Sequence, residues 1–289
     1  MNKVAQLFRH IHIHPLLWIV IAIAVATARF MEVCLMLVIV FVHEMGHAAA
    51  ASFFSWRIKR ITLLPFGGVA EMDEHGNRPL KEEAIVVLAG PIQHIWMLGA
   101  AFLLYRGTLI PEDMFLLFFQ YNMMILLFNL FPVWPLDGGK LLFLLFSLKK
   151  PFPIAHRWAL RVSFFFLTGF SLFVLFTSPY NLNVWIVSGF LYFSLYHEWK
   201  QRHFVFIRFL LERYYGKKES FRLLKPLQAC KDDFLFDVLA RFQRGCKHPI
   251  QITGQGMDKR MVDENELLHA YFSEKRVTDK IGDLFFTYS

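Results

Sequence analysis

Six apolar runs constrain what this chain can fold into more than any other feature of its sequence. Crossing about 30 Å of hydrocarbon takes about 20 apolar residues in a helix, and the first and last runs are somewhat short. We predict a polytopic α-helical membrane protein with six transmembrane helices. The candidate spans cover residues 15–28, 32–54, 84–105, 114–131, 158–177 and 183–196.

The composition agrees with a membrane protein. Hydrophobic residues make up 56% of the 289 residues, charged residues make up 19%, and the mean hydropathy is +0.40. An ordinary soluble domain carries more charge. The net charge of +8 comes from Lys and Arg beside the apolar runs, so we predict no direct binding of nucleic acid. The three cysteines are scattered, and their odd count argues against a disulfide framework and favours a reducing compartment for the soluble part.

Basic residues in the short loops predict the orientation in the membrane. With a cytoplasmic N-terminus, the other side of the membrane holds little beyond Arg29 and Arg106. The positive-inside rule then places both termini in the cytoplasm. The cytoplasmic side holds Lys3, Arg9, Arg57, Lys59, Arg60, Arg78, Lys81, Lys149, Lys150, Arg157, Lys200 and Arg202.

The second apolar run contains the sequence His43-Glu44-x-x-His47, and the only other formal charge within the run is Glu32 near one end. Two histidines four residues apart lie on one helix face and can bind one zinc ion, while the Glu between them can hold a water molecule. Ionisable groups are costly at membrane depth and are kept there mainly for function. The alternative is a polar network among helices without metal. The pattern favours hydrolysis of a peptide bond within the membrane.

A second polar segment, residues 129–140, interrupts the end of the fourth run. Two prolines and two glycines surround Asp137 and break the helix, which membrane proteins tolerate only where the backbone is buried or lines a wet cavity. A catalytic zinc needs three protein ligands and one open position. We predict that His43, His47 and Asp137 bind one zinc ion per chain and that Glu44 is the general base. The alternative for Asp137 is a helix cap or turn residue.

The two motifs resemble those of the site-2 proteases, which are intramembrane zinc metalloproteases. The resemblance covers about residues 30–148. It implies that Asp137 is the third ligand, that Asn129 and Pro135 lie beside the bound substrate, and that the second, third and fourth spans form a catalytic core. The matching motifs are His43-Glu44-x-x-His47 and Asn129-x-x-Pro132-x-x-Pro135-x-Asp137-Gly138.

Within that family, the chain resembles the branch that joins six spans to a C-terminal CBS domain. Residues 233–272 are similar to one CBS motif. The resemblance implies a membrane-associated protein substrate, a pro-sigma factor during sporulation, in the mother-cell membrane that surrounds the forespore. It also implies a response to ATP and a homo-oligomer formed through the CBS-like domain. Membrane inhibitor or regulator proteins are expected because an open zinc site in a membrane needs restraint. The tail has no Gly-x-Ser/Thr-x-x-Asp ribose motif of its own.

Changes in composition predict three segments. Residues 1–199 form the transmembrane zinc metalloprotease domain, residues 200–220 a basic amphipathic linker, and residues 221–289 a small α+β CBS-like regulatory domain. The linker interleaves aromatic residues with Lys and Arg, which is typical of a helix lying on an anionic membrane surface. A connecting helix packed against the next domain is the alternative.

Residues 61–70 are apolar and β-branched but too short to span the membrane. A helical substrate hides its peptide bonds, so it must be held extended. We predict a re-entrant hairpin whose edge pairs with the substrate backbone. Its predicted substrate-binding residues are Pro65, Phe66 and Gly67.

Two other function classes remain open from the residues alone. A zinc transporter would use the same histidines, but it calls for a continuous polar path and often inverted repeats, which the sequence lacks. A non-catalytic membrane scaffold with a regulatory CBS tail needs no metal. His94 stands where the family often has Asn, and we do not expect it as a further ligand because three suffice. His10, His12 and His14 alternate with isoleucines, which favours an interfacial segment.

Overall fold

The computed structural model describes residues 11–13, 15–64, 67–72, 78–215, 223–254 and 257–285. Helices dominate these residues, and the chain divides into two compact units. The first unit contains residues 81–142 and 162–195 together with the described residues before 75. The second contains residues 78–80, 143–161 and the described residues from 196 onward.

Most elements up to residue 215 are helices, and three of these helices are long and apolar enough to cross a membrane. In chain order, the elements up to residue 215 are β1 (Ile11–Ile13), α1 (Pro15–Ala26), α2 (Phe30–Phe53), β2 (Ile58–Leu64), β3 (Gly67–Met72), α3 (Leu80–Arg106), α4 (Glu112–Asn129), α5 (Asp137–Ser147), α6 (Phe152–Thr177) and α7 (Leu182–Tyr215). By length and composition, α2, α3 and α6 are able to span a bilayer. The prediction of a helical membrane protein is confirmed at this level, and the number of six spans stays a prediction.

Three helices of the first unit pack around a common apolar cluster. Ile39 of α2, Met97 of α3 and Ile125 of α4 are buried together. Helix α2 also approaches α3 closely, because a Cβ on Gly46 would lie 2.5 Å from the carbonyl oxygen of Ala89. Small residues at such a crossing let two membrane helices come into backbone contact. This packing holds the middle of α2 against the first half of α3.

A three-stranded sheet completes the first unit. Strands β2 and β3 form an antiparallel hairpin, in which Thr62 pairs with Val69 and Leu64 with Gly67. The hairpin predicted for residues 61–70 is therefore present, and it extends from residue 58 to residue 72. Strand β1 pairs in parallel with the other edge of β2. Among the described residues, the second edge of β3 has no strand partner.

The second unit ends in a small α+β fold, as the sequence predicts. Strand β4 pairs in parallel with β5, which pairs antiparallel with β6. That this fold is a CBS domain stays a prediction. The elements are β4 (Leu227–Cys230), α8 (Leu235–Leu239), β5 (Ile250–Gly254), β6 (Met257–Val262), α9 (Glu264–Phe272) and α10 (Ile281–Phe285).

The predicted linker continues α7 as far as Tyr215. Its aromatic residues do not all face outward, since Phe206, Phe209 and Leu210 are buried. The Phe209 ring stacks on the Phe152 ring of the same unit, with 4.2 Å between ring centroids. This packing favours the connecting helix over a helix that lies free on the membrane surface.

A buried ion pair joins the end of α7 to the start of α9. The side chains of Arg213 and Glu264 are 2% and 4% exposed, and Arg213 Nη2 lies 2.9 Å from Glu264 Oε2. Arg213 Nη1 also donates to the carbonyl oxygen of Gln243 at 2.9 Å. Removing one partner leaves a buried charge uncompensated.

We therefore expect Arg213→Met to lower the local free energy of unfolding by about 3–5 kcal/mol. Hydrogen exchange of the backbone amides in residues 223–285, measured on the full-length protein, gives this quantity directly. Adding Glu264→Gln to Arg213→Met removes the stranded charge and should restore part of the protection. Equal exchange in the single variant and the unchanged protein would contradict this account.

Candidate metal centre

The turn before α5 positions Asp137 as the first residue of that helix. Val133 is fully buried in the turn, and the backbone N–H of Trp134 donates to Ser163 Oγ at 3.1 Å. Glycine is required at position 139, because a Cβ there would lie 2.5 Å from the carbonyl carbon of Val133. The broken helix predicted from the prolines and glycines thus presents one carboxylate from a tightly packed turn.

Three side-chain atoms converge between α2 and α5. His43 Nε2 and His47 Nε2 are 3.1 Å apart, and they lie 3.2 Å and 3.1 Å from Asp137 Oδ2. All three residues are buried, at 2%, 5% and 3% exposure. Donor atoms about 2.0–2.1 Å from a tetrahedral zinc lie about 3.3–3.4 Å from each other. The triangle therefore fits one face of a tetrahedral site and leaves a fourth position for water.

Hydrogen bonds fix which atoms face the centre of this triangle. His47 Nδ1 donates to the carbonyl oxygen of Val86 at 2.8 Å, so its Nε2 carries a lone pair. His43 Nδ1 is engaged by His94 Nε2 at 3.0 Å, which likewise turns its Nε2 toward Asp137. Such partners of the second ring nitrogen are typical of metal-binding histidines. Acceptor atoms that converge in a buried space call for a cation.

Lys140 completes the surroundings of the carboxylate. Its Nζ lies 3.1 Å from Asp137 Oδ1, one turn along α5. One oxygen of Asp137 therefore faces the ammonium group, while the other faces the two histidines. This division favours a ligand that offers a single oxygen to the metal.

Glu44 is buried beside the triangle, with 6% of its surface exposed. Strand β3 passes directly over it, since a Cβ on Gly68 would overlap the Glu44 side chain and lie 2.8 Å from Oε1. Helix α3 covers the histidines in a similar way, because a Cβ on Gly90 would lie 2.8 Å from His43 Cε1 and would overlap the His47 ring. Two glycines thus bring backbone against the candidate site.

The other predicted site residues lie around this centre or outside the described part of the chain. Asn129 is the last residue of α4, and its Nδ2 donates to the carbonyl oxygen of Ile125 at 3.0 Å. Pro135 is half-buried in the turn before α5, and Gly67 begins β3. Pro65 and Phe66 lie outside the described residues, as do His10 and His14. His12 lies exposed on β1.

Sequence reasoning missed Asn122 and the role of Lys140. Asn122 is fully buried on α4, and its Oδ1 lies 2.9 Å from His94 Nδ1. A polar residue in the middle of an apolar run was the available signal for Asn122. For Lys140 the signal was its position three residues after Asp137 on a helix.

Comparisons with known proteins agree with this geometry. Residues 31–112 and 108–170 match the sequence profile of peptidase family M50. The chain belongs to this family, that of the site-2 proteases, and is an intramembrane zinc metalloprotease. It is 50% identical over 288 residues to the stage IV sporulation protein FB of Bacillus subtilis strain 168, and the match covers 100% of both chains.

One sequence and one solved structure from the same organism extend the comparison. A zinc metalloprotease from Methanocaldococcus jannaschii is 29% identical over 213 residues, which is 68% of this chain and 61% of that protein. The solved structure of a site-2 protease from the same organism matches with a TM-score of 0.52 and 28% identity, covering 65% of this chain and 89% of that one. Membership of a peptidase family favours the protease over the transporter and the scaffold.

Proposed function

We propose that His43, His47 and Asp137 bind the catalytic zinc ion, one per chain, and that Glu44 is the general base for peptide-bond hydrolysis. The observation that carries this proposal is the triangle of Nε2, Nε2 and Oδ2 atoms, 3.1–3.2 Å apart and buried. When bound, zinc supplies polarisation of the scissile carbonyl and an activated water at neutral pH.

The chain's own groups divide the remaining work. Glu44 takes the proton from the attacking water as the new C–O bond forms, and it returns the proton to the amine nitrogen as the C–N bond breaks. Glu44 is 6% exposed, so its carboxylate is largely shielded from bulk solvent. Lys140 holds the second oxygen of Asp137, which keeps the carboxylate in one orientation.

Strand β3 is the proposed docking edge for the substrate. Its outer edge has no strand partner among the described residues, and its Gly68 lies against Glu44. A substrate strand added there would have its backbone beside the general base. Gly67 begins β3, and Pro65, Phe66 and Gly67 are proposed to contact the substrate. Asn129 and Pro135 are proposed to contact the substrate from the α4–α5 connection.

Gly68→Ala tests the closeness of the strand to the base. The added methyl group displaces either Glu44 or the strand, and a misplacement of about 1 Å can cost about 100-fold in rate. Cleavage of a membrane substrate is therefore expected to fall by about that factor. Zinc content should not change. The matched control is Gly169→Ala on α6, where an added Cβ meets nothing within 4 Å.

Unchanged cleavage by Gly68→Ala would contradict the assignment of β3 to the active site. Loss of zinc in that variant would show that the hairpin supports the metal ligands rather than the base.

The proposed substrate is a membrane-associated pro-sigma factor, processed during sporulation in the mother-cell membrane around the forespore. The name of the relative that is 50% identical supports a role in sporulation. The proposed topology has six spans with both termini in the cytoplasm, which puts the C-terminal tail on the side where a sigma factor resides. Self-association through a CBS-like tail and a response to ATP are further predictions from the resemblance, and membrane regulator proteins are predicted because an open zinc site needs restraint.

Co-expression in a bacterium that does not sporulate tests the substrate. The full-length chain is paired with a membrane-associated pro-sigma factor, and the shortened product is detected by immunoblot. We expect cleavage by the unchanged chain and none by His43→Ala. A pro-sigma factor that stays intact while another membrane protein is cleaved would contradict the substrate and leave the protease assignment in place.

A further inference from the structure

We propose that His94, oriented by Asn122, is a positioning residue that sets the proton on His43 so that His43 Nε2 can bind zinc. The proposal rests on the assignment of His43 as a zinc ligand. Three buried side chains form one hydrogen-bonded row: His43 of α2, His94 of α3 and Asn122 of α4. His94 and Asn122 are both 0% exposed.

The direction of this row decides the chemistry of His43. Asn122 presents Oδ1 to His94 Nδ1 at 2.9 Å, and an amide oxygen only accepts, so His94 Nδ1 carries the proton. His94 Nε2 then accepts from His43 Nδ1–H at 3.0 Å. The Nε2 atom of His43 is left with a lone pair, which faces Asp137 and His47.

The opposite direction would disable the site. If Asn122 offered its amide N–H groups to His94 Nδ1, His94 Nε2 would carry the proton and donate to His43 Nδ1. His43 would then be protonated at Nε2, and a protonated nitrogen cannot bind a metal. The orientation of the buried Asn122 amide therefore decides whether His43 Nε2 can bind zinc.

The surroundings of Asn122 make a polar side chain costly there. Its Nδ2 is buried without a hydrogen-bond partner among the described residues. An unpaired buried donor is unfavourable, and an apolar side chain in its place would avoid that penalty. Orientation of His94 by Oδ1 supplies the reason for a polar residue at this point of α4.

His94 acts through His43 and does not touch the metal. Both of its ring nitrogens are engaged, one by Asn122 and one by His43. Its Nε2 lies at the Nδ1 side of the His43 ring, away from the three converging atoms. This arrangement agrees with the expectation that His94 is not a further ligand.

Two substitutions at position 94 separate positioning from packing. His94→Phe keeps a ring but has no acceptor, so His43 loses the partner that fixes its proton. His94→Gln can place Oε1 where Nε2 stands and accept from His43 Nδ1–H. At position 122, Asn122→Leu removes the acceptor, whereas Asn122→Asp keeps one. Tyr192→Phe is a control, because it removes hydrogen bonds to Thr168 and Ser171 away from the row.

The readout is zinc affinity of the purified full-length protein, measured by competition with a chelator, together with the visible absorption of the Co²⁺-substituted form. We expect His94→Phe and Asn122→Leu to bind zinc about 10–100-fold more weakly. Their Co²⁺ spectra should change as well. His94→Gln, Asn122→Asp and Tyr192→Phe should stay close to the unchanged protein in both measurements.

Zinc affinity of His94→Phe equal to that of the unchanged protein would overturn the proposal. So would equal weakening in His94→Phe and His94→Gln, because His94 would then act through its shape alone. If the protein without any substitution binds no zinc, the proposed function itself fails. If that protein and His94→Phe bind zinc with the same affinity, only the role of His94 fails, so the two outcomes are distinguishable.

Discussion

Glu44→Gln is expected to slow peptide-bond hydrolysis strongly while the protein keeps its zinc. The amide has nearly the same shape as the carboxylate but cannot take a proton from water. General acid–base catalysis contributes about 10²–10⁴-fold, and cleavage should fall by a factor in that range. The proposed ligand set of His43, His47 and Asp137 does not include Glu44, so metal analysis should give the same zinc content as the unchanged protein. Cleavage is followed on a co-expressed membrane substrate.

His47→Ala provides the comparison, since it should lose both zinc and cleavage. Appreciable cleavage by Glu44→Gln would place the general base elsewhere. Loss of zinc from Glu44→Gln would mean that Glu44 helps to hold the metal, which would contradict the division of roles proposed for the pair of histidines and the residue between them.

Gly90→Ala is expected to remove zinc from the protein. An added Cβ would overlap the His47 ring and lie 2.8 Å from His43 Cε1, so either the rings or α3 must move. Loss of a hydrogen-bond partner of a metal ligand weakens metal binding about 10–100-fold. We expect Gly90→Ala to weaken zinc binding by more than this. Cleavage should fall with it. Zinc content of the purified full-length protein is the measurement.

Gly99→Ala is the matched control on the same helix. An added Cβ there meets nothing within 4 Å, and Ala is the better helix former. This variant should keep both zinc and cleavage. Full zinc content in Gly90→Ala would contradict the packing of α3 against the two imidazoles.

The sequence predicts the elements of this site well because its signals are local. Spacing of four residues puts His43 and His47 on one face of any helix, and an apolar run fixes that helix in place. The prolines and glycines around Asp137 predict a break, and the structure begins α5 at that residue. The hairpin of residues 61–70 follows from length and residue type for the same reason.

Contacts between distant parts of the chain escape such reasoning. The sequence around Gly68 does not predict that the β3 backbone contacts Glu44, and the sequence around Gly90 does not predict that the α3 backbone contacts the two histidines. The row from His43 through His94 to Asn122 exists only after three helices pack. The sequence also did not predict that α7 continues past the domain boundary at residue 199. A helix can pass from apolar to basic sequence without a break in its backbone hydrogen bonds.

X-ray absorption at the zinc edge, with metal analysis of the purified full-length protein, tests the central claim most directly. We predict one zinc ion per chain, with nitrogen and oxygen donors at about 2.0–2.1 Å and the scattering pattern of two imidazoles. The Asp137→Ala variant should lose the metal or this pattern. Protein with far less than one zinc per chain, a sulfur donor at the zinc, or an unchanged spectrum in Asp137→Ala would contradict the account.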